Sequence, residues 1–304
     1  MFIEEYLEDL RRERFTPRAI VTCARRTAAH ARRQIDANPS AVRSVWSVAL
    51  GFFAAAFVAA VTLALAGERR LAEVFFLETA LVIVPTFALV TLHIGLLRDE
   101  SGYRLSALNV PITLTLMRVV LLPGVVRFVL DRRFALALAA FLLASASDIA
   151  DGWIARRTRQ ITRLGTLLDP LFDIVFNLTL FCALARAGLL PAWVAGVATV
   201  RYGLLLVGAA GLYVFVGPVR VQPTGFGRMT GVLMAALVGL LMLVHALRGS
   251  IGDALLPLTR VALGVLLSAT LAQVAVIGVY NLRTMRGKSE ATGRVVGDVR
   301  WGAR

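Results

Sequence analysis

Apolar runs separated by short polar segments make up most of the chain beyond residue 45. Pro85, Pro123 and Pro170 fall within this apolar part, where bundles of membrane helices tolerate proline. The pattern predicts an all-α fold, a polytopic integral membrane helical bundle. Its eight runs each approach the roughly 20 residues that a spanning helix needs: 46–66, 73–97, 110–130, 133–150, 164–186, 192–216, 229–247 and 255–281.

The first 45 residues are polar and carry nine arginines. A helix here would have one apolar stripe, formed by Phe2, Ile3, Tyr6, Leu7 and Leu10. Pro17 interrupts this segment, and a second, basic segment follows from Arg18 to Arg33. We interpret the region as cytoplasmic helices near the anionic leaflet of a membrane. A solvated basic flank with no specific role is an equally good interpretation.

The composition agrees with a membrane protein. Hydrophobic residues make up 58% of the chain and the mean hydropathy is +0.75, although the net charge is +14. Basic residues fall between apolar runs and no nucleic-acid-binding motif is present, so we expect membrane lipids and no nucleic acid as partners. Cys23 and Cys182 are far apart and indicate neither a disulfide framework nor a zinc site. The first residues lack the apolar core of a signal peptide.

Counts of lysine and arginine between the runs predict the orientation, because cytoplasmic loops are enriched in both. With the N-terminus inside, the cytoplasmic segments hold 23 basic residues and the opposite segments hold 5. This excess predicts an inner (cytoplasmic) membrane protein with both termini and the loop after residue 150 facing the cytoplasm. Five more arginines lie within or near the apolar runs: Arg118, Arg127, Arg186, Arg201 and Arg260.

Four aspartates stand near the fourth and fifth runs. Asp148 and Asp151 are spaced i, i+3, and Asp169 and Asp173 are spaced i, i+4, so each pair shares one helix face. A carboxylate inside a membrane costs roughly 2.5–3.5 kcal/mol on insertion scales, which makes four of them a candidate site. Carboxylate oxygens suit hard divalent cations such as Mg²⁺, and no His/Cys cluster exists for a softer metal.

The residues around these aspartates follow the pattern D-x2-D-G-x2-A-R-x8-G-x3-D-x3-D. All eight fixed positions match the signature of the CDP-alcohol phosphotransferase family, which the chain resembles over about residues 105–282. A chance match has a probability on the order of 10⁻¹⁰ per starting position. The matching residues are Asp148, Asp151, Gly152, Ala155, Arg156, Gly165, Asp169 and Asp173.

This resemblance implies a six-helix catalytic core, a homodimer and two bound divalent cations, Mg²⁺ or alternatively Mn²⁺. It assigns metal binding to Asp148, Asp151, Asp169 and Asp173, with Asp173 also the general base. Nucleotide binding is assigned to Gly152, Ala155, Arg156 and Gly165. We therefore expect four segments: a basic cytoplasmic region (1–45), two additional spanning helices (46–97), the catalytic domain (98–282) and a flexible basic tail (283–304).

A weaker match precedes the signature. Family members often carry Pro-Asn-x-x-Thr-x-x-Arg, and this chain keeps Pro111, Thr115 and Arg118 but has Ile112 in place of the asparagine, with Asn109 nearby. Because Thr115 and Arg118 share a helix face, we expect them to bind substrate phosphate oxygens. Snorkelling of Arg118 to the interface is the alternative.

Two features concern the acceptor. Arg228 lies in a segment that is similar to a basic loop of phosphatidylglycerophosphate synthases, and it is a candidate acceptor-binding residue or only a basic residue in a turn. Those synthases commonly have lysine directly after the last aspartate, where this chain has Ile174, and a small residue in place of Phe172. This departure leaves the identity of the acceptor open.

The resemblance implies transfer of a phosphatidyl group from CDP-diacylglycerol to a small alcohol, with release of CMP, in phospholipid biosynthesis. Glycerol 3-phosphate is the first expected acceptor, and inositol phosphate, serine or another alcohol are alternatives. A transporter or scaffold with ion-binding aspartates is the alternative from another class. An intramembrane prenyltransferase also uses aspartate-rich sites but has other spacings.

Overall fold

The computed structural model describes residues 16–215, 225–247 and 255–276, with side chains described for 16–208, 229–247 and 255–276. Over these residues the chain is helical. A single-turn 3-10 helix, Ile94–Leu96, follows the third α-helix. The α-helices are α1 Pro17–Asp36, α2 Pro39–Leu65, α3 Arg69–Leu92, α4 Val110–Leu130, α5 Phe134–Thr158, α6 Arg163–Arg186, α7 Ala192–Phe215, α8 Gly225–Leu247 and α9 Leu255–Val276.

The predicted polytopic helical bundle is confirmed, and α2 to α9 correspond to the eight apolar runs. Seven of them are long and apolar enough to cross a membrane over their described residues, and α7 has a shorter apolar stretch, Ala192–Gly208. Some boundaries differ. The first run begins at Pro39, because the Asn38 side chain accepts a hydrogen bond from the Ala41 amide and caps the helix there. The second ends at Leu92 and the fourth continues to Thr158.

The central helix of the bundle is α4. In its most apolar 18-residue window 67% of the residues are buried, against at most 39% in the other candidate spans. One face, with Leu122 and Val125, belongs to a core shared with α5 to α9. The other face, with Ile112 and Leu116, belongs to a second core shared with α2, α3 and α6. Side chains on α4 therefore reach both neighbouring helices, α5 and α6.

The two additional helices, α2 and α3, pack directly against this bundle. Val45 of α2 and Phe87 of α3 are fully buried in the second core. An ion pair between Glu78 of α3 and Arg127 of α4, 3.7 Å apart, adds a polar contact between α3 and α4. Helices α2 and α3 are thus part of the same packed structure as α4.

The predicted basic segment forms α1, which rests on the 3-10 helix. The contact is close: a Cβ added at Gly95 would lie 2.9 Å from Cγ of Gln34, so a larger residue there would force the Gln34 side chain to shift. A loop of residues 97–108 then leads to α4. The Asn38 side chain donates a hydrogen bond of 2.8 Å to the Leu105 carbonyl, and Ser44 Oγ accepts one of 3.0 Å from the Leu108 amide.

The 97–108 loop is folded tightly around Asp99. The Ser101 hydroxyl and the Tyr103 amide donate hydrogen bonds of 2.6 and 2.8 Å to the same carboxylate oxygen of Asp99. The Ser101 bond, reinforced by backbone amides, holds the pKa of Asp99 below its usual value. Gly102, with φ of +88°, makes the turn possible. The loop is therefore an ordered unit between α3 and α4.

Some predicted features lie outside the described residues. These are the apolar stripe within residues 1–10, the tail 283–304 and most of the loop before α8. Arg228 is in the first turn of α8, but its side chain is also outside the described part. Its candidate role in acceptor binding stays a prediction, as do the segment boundaries.

Candidate active site

Two side chains of α4 lie between the aspartate helices. Thr115 and Arg118 are one helical turn apart and are almost fully buried, with 2% and 3% exposure. Their spacing directs both side chains towards α5 and α6. The sequence predicted that they share a face, and the structure shows that this face meets the aspartates.

Arg118 joins the outer members of the two aspartate pairs. Its Nη1 forms ion pairs with Oδ1 of Asp148 on α5 and with Oδ1 of Asp173 on α6, the latter at 2.5 Å. The side chains of both aspartates are 49% exposed, whereas that of Arg118 is 4% exposed. Nε and Nη2 of Arg118 are buried without hydrogen-bond partners among the described residues. Arg118 thus has donors left for a bound anion.

Thr115 joins the inner members of the pairs. Its hydroxyl oxygen lies 3.0 Å from Oδ2 of Asp151 and 2.9 Å from Oδ1 of Asp169. It also lies 3.1 Å from the carbonyl oxygen of Pro111 in the preceding turn. A hydroxyl has one proton and can donate to only one of these acceptors at a time. The Thr115 hydroxyl therefore lies between the carboxylates of Asp151 and Asp169 and is shared by them.

The pairing follows from the chain direction. The loop of residues 159–162 connects α5 to α6, so the two helices run in opposite directions. Asp148 therefore lies opposite Asp173, and Asp151 lies opposite Asp169. The i, i+3 and i, i+4 spacings in the sequence become two facing carboxylate pairs, as expected for one four-aspartate site.

A pocket opens beside the Asp151–Asp169 pair. Three of the four predicted nucleotide-binding residues, Gly152, Ala155 and Gly165, line it. The fourth, Arg156, does not line it but lies over Gly152, where an added Cβ would be 3.1 Å from Nη1 of Arg156. The remaining lining residues are Pro111, Ile112, Thr115, Asp151, Gln160, Ile161, Thr162, Thr166 and Asp169.

The sequence analysis did not identify the pocket wall formed by the loop between α5 and α6. This wall consists of Gln160, Ile161 and Thr162, which occupy variable positions of the signature and so are not indicated by it. Only Thr162 could have been recognised, as a helix-capping residue. Thr162 Oγ1 accepts a hydrogen bond of 3.1 Å from the Gly165 amide and begins α6, as a threonine before a helix commonly does.

Residues that precede the signature in the sequence hold this pocket wall in place. The Asn109 side chain caps α4 and donates a hydrogen bond of 2.9 Å to the Gln160 carbonyl. The Arg163 amide donates one of 3.1 Å to the Arg98 carbonyl, and Asp99 forms an isolated β-bridge with Thr162. The 97–108 loop therefore touches the loop that closes the pocket.

The four carboxylates fit divalent cations as two pairs. Within the described residues no three His, Cys, Asp or Glu side chains converge to form a ready-made metal cage. Mg²⁺ does not need one, since it commonly takes one or two carboxylates and completes its coordination with water and substrate phosphate oxygens. The Asp151–Asp169 pair surrounds a neutral hydroxyl. At the Asp148–Asp173 pair a cation would have to compete with Arg118.

A family model for CDP-alcohol phosphatidyltransferases matches residues 108–282, more than half of the chain. The chain belongs to this family. The match covers α4 to α9 and contains both aspartate helices, whereas α1, α2, α3 and most of the 97–108 loop precede it. The predicted family is confirmed.

Individual relatives match over shorter stretches. A CDP-diacylglycerol–glycerol-3-phosphate 3-phosphatidyltransferase of Aquifex aeolicus is 41% identical over 70 residues, 23% of this chain and 39% of the relative. The protein of that name from Yersinia enterocolitica is 48% identical over 71 residues, 22% and 39%. A probable cardiolipin synthase (CMP-forming) of Drosophila melanogaster is 33% identical over 111 residues, 36% and 34%. The chain thus spans about two fifths or less of the length of these curated relatives.

Two residues mark the departure from the synthase pattern. Phe172 is buried in the second core, and Ile174 packs against the first core. Both side chains therefore serve helix packing. The position after Asp173 therefore carries no cation.

Proposed function

We propose that this protein transfers a phosphatidyl group from CDP-diacylglycerol to glycerol 3-phosphate and releases CMP. The observation that carries the proposal is the arrangement of four aspartates in two facing pairs, beside a pocket lined by the glycines of the same signature. Family membership and the two glycerol-3-phosphate phosphatidyltransferase relatives support the choice of substrates.

Asp173 is the general base in this proposal. Its side chain is half-exposed, so an acceptor hydroxyl can approach within hydrogen-bond distance. Asp173 takes the hydroxyl proton, and the acceptor oxygen forms a bond to the phosphorus that bears the diacylglycerol. The bond from that phosphorus to the bridging oxygen breaks, and CMP leaves with the electron pair. Arg118 stabilises the arrangement by balancing the charges of Asp148 and Asp173.

Divalent cations would be held by Asp148, Asp151, Asp169 and Asp173, with Mg²⁺ the first choice and Mn²⁺ the alternative. When bound, two such ions neutralise the diphosphate and stabilise the leaving group. The cytidine nucleotide occupies the pocket, where Gly152 and Gly165 form part of the lining and let the side chains of Arg156 and Thr162 lie close to the backbone. Arg156 adds a positive charge at its edge.

The site faces the cytoplasm in this proposal. The excess of basic residues supports a cytoplasmic location for both termini and the 159–162 loop, on the side where soluble nucleotide and acceptor are present. The proposed assembly is a homodimer, which rests on the family resemblance and can be checked by cross-linking in native membranes.

The direct test is CMP release from CDP-diacylglycerol by the purified full chain with a panel of acceptors: glycerol 3-phosphate, inositol phosphate, serine and phosphatidylglycerol. We expect the highest kcat/KM with glycerol 3-phosphate and a loss of about 10²- to 10⁴-fold in kcat/KM in Asp173→Asn, as for removal of a general base. A wild type that is inactive with every acceptor, and unaffected by Asp173→Asn, would contradict the enzyme proposal and favour an ion-binding transporter or scaffold.

Cardiolipin formation is the second candidate. It is favoured by the match to a probable CMP-forming cardiolipin synthase, which covers a larger share of this chain than the two glycerol-3-phosphate relatives do. If the protein forms cardiolipin from phosphatidylglycerol but no product from glycerol 3-phosphate, it is a cardiolipin synthase rather than a glycerol-3-phosphate phosphatidyltransferase.

A further inference from the structure

Three arginines come together where α1 rests on the chain that follows α3. Arg33 is in the last turn of α1, and Arg98 and Arg104 are in the loop before α4. The two loop residues form an antiparallel β-bridge, so their side chains leave the same side of the loop. Gly95 lies between the segments: its carbonyl accepts a hydrogen bond of 3.1 Å from Nε of Arg98, and its Cα lies against the Gln34 side chain of α1. We call the three residues the arginine cluster.

The positive charge of the arginine cluster acts on His30 of α1. Burial lowers the pKa of His30, and the charges of the three arginines lower it further. Among the described residues, none of these arginines forms an ion pair with a carboxylate. The Asp99 carboxylate in the same loop instead accepts hydrogen bonds from the Ser101 hydroxyl and the Tyr103 amide. Like charges repel one another in the cluster, and a bound anion would offset this repulsion.

The arginine cluster lies next to the ends of two spanning helices. Arg33 lies shortly before Pro39, where α2 begins, and Arg98 lies shortly after Leu92, where α3 ends. The side chains of Arg33 and Arg104 are exposed. The head groups of a bilayer form the layer directly beyond its hydrocarbon core. Exposed cations beside the ends of α2 and α3 are therefore within reach of lipid phosphates.

Helix α1 adds further positive charge at the same end of the bundle. Its charged residues are five arginines and one aspartate: Arg18, Arg25, Arg26, Arg32, Arg33 and Asp36. Two large apolar residues near its N-terminus, Ile20 and Val21, are exposed. A basic helix with apolar side chains at its surface is typical of segments that bind an anionic membrane surface. The charges of α1 and of the cluster thus favour the same kind of ligand.

We propose that the arginine cluster and α1 form a docking surface for the head groups of anionic phospholipids in the leaflet at this end of the bundle. Charge complementarity and the position beside α2 and α3 support this ligand. Inorganic phosphate offers the same oxygen atoms, but it would make no use of the apolar residues of α1. The docking surface precedes residue 108, where the family match begins, and so lies outside the matched domain.

Arg98 connects the docking surface to the pocket wall. Its carbonyl accepts the hydrogen bond from the Arg163 amide, and the neighbouring Asp99 forms the β-bridge with Thr162. A head group bound by the Arg98 side chain restricts the motion of the same residue whose backbone holds the loop between α5 and α6. Anionic lipid should therefore tighten nucleotide binding. This effect rests on the proposed function, because it takes the pocket to be the nucleotide site.

The first test measures lipid binding to the full chain in neutral detergent by native mass spectrometry. Dioleoylphosphatidylserine is compared with dioleoylphosphatidylcholine, which has the same acyl chains, and inorganic phosphate is the competitor. Wild type should bind phosphatidylserine about tenfold or more tightly than phosphatidylcholine, and Arg33→Gln/Arg104→Gln should lose this preference. These two side chains suit the test because Arg33 donates only to the Ala29 carbonyl of its own helix and Arg104 has no described side-chain partner, so the loop keeps its contacts.

Two control variants accompany the first test. Arg33→Lys/Arg104→Lys keeps both charges and should keep the preference for phosphatidylserine. Arg69→Gln/Arg70→Gln removes two exposed charges from the start of α3, at the opposite end of the bundle, and should behave as wild type. Equal binding of the two lipids by wild type, or an equal loss of preference in Arg69→Gln/Arg70→Gln, would overturn the docking surface. Complete displacement of phosphatidylserine by inorganic phosphate would show that the surface takes a soluble anion, and would also overturn it.

The second test measures the dissociation constant of CMP by calorimetry, with the full chain in nanodiscs of phosphatidylcholine with and without phosphatidylserine. Phosphatidylserine should tighten CMP binding about five- to tenfold in wild type and have no such effect in Arg33→Gln/Arg104→Gln. An anionic surface repels CMP, so surface potential alone would weaken binding in both proteins. Unchanged or weaker binding in wild type would refute the connection to the pocket. If CMP binds in neither membrane, the proposed function fails, whereas the first test still decides the docking surface.

Discussion

The hydroxyl of Thr115 offers the sharpest test of how the aspartates are held. Replacement by valine puts a methyl group in place of the hydroxyl and keeps the β-branched shape of the side chain, so it removes the donor with little change in volume. In the structure this oxygen lies 3.0 and 2.9 Å from the carboxylates of Asp151 and Asp169. We expect Thr115→Val to let these two carboxylates move apart and to lower kcat/KM.

The magnitude follows from the single proton of the hydroxyl. It can donate to one carboxylate at a time, so the variant loses the equivalent of one hydrogen bond to a charged acceptor, about 1.5–3 kcal/mol. Since about 1.4 kcal/mol corresponds to a factor of ten, kcat/KM should fall by about 10- to 100-fold. The free energy of unfolding should fall by about 1–3 kcal/mol, because a buried carboxylate oxygen loses its donor.

The assay is CMP release from CDP-diacylglycerol, with two matched variants. Thr115→Ser retains the hydroxyl and should stay within about fivefold of wild type. Thr113→Val removes a hydroxyl from the same helix that donates only to the Asn109 carbonyl, at 3.1 Å, and should retain full kcat/KM. Activity of Thr115→Val within twofold of wild type, or an equal loss in Thr113→Val, would refute the reasoning.

Three other predictions concern the pocket and the metal. Gly165→Ala puts a Cβ 3.2 Å from Thr162 Oγ1 and should raise the KM for CDP-diacylglycerol by about tenfold. The control Gly196→Ala, whose Cβ would have nothing within 4 Å, should leave this KM unchanged, and equal KM values in the two variants would contradict the packing argument. Asn109→Ala removes the hydrogen bond to the Gln160 carbonyl and should weaken CMP binding about three- to tenfold in calorimetry. Unchanged binding would show that this hydrogen bond is not needed to position the loop between α5 and α6. Removal of divalent cations with EDTA should abolish CMP release, and Mg²⁺ or Mn²⁺ should restore it; full activity in EDTA would exclude the metal requirement.

The sequence predicted the bundle because the length of an apolar run is set by the thickness of the membrane. It also predicted that the aspartates would meet, because helical spacing alone fixes which residues share a face. The phosphate-binding role expected for Thr115 and Arg118 stays a prediction. The structure adds contacts that the sequence did not indicate: Thr115 contacts Asp151 and Asp169, and Arg118 pairs with Asp148 and Asp173 while two of its donors are left without partners among the described residues.

Other parts of the site depend on contacts between distant segments. The bond from Asn109 to Gln160 spans 51 residues, and no local pattern indicates such a pair. The sequence shows that Arg201 is a charged residue within an apolar run, but it does not predict which side chains lie next to it. Burial of its donors became apparent only when α7 was packed against its neighbours.

The contact between the 97–108 loop and the pocket wall bears on how this protein can be divided. An excised fragment that starts at residue 108 would contain all four aspartates and six of the spanning helices. In a bilayer, lipid chains can replace α2 and α3 along the apolar surface of α4, because lipid chains are as apolar as the side chains of these helices. At the aqueous end, water would replace Arg98 and Asp99, and water would not keep the 159–162 loop in a fixed position. Such a fragment should insert and keep its helices while its nucleotide affinity falls. A preparation used to measure nucleotide binding should therefore retain the 97–108 loop and the helices that support it.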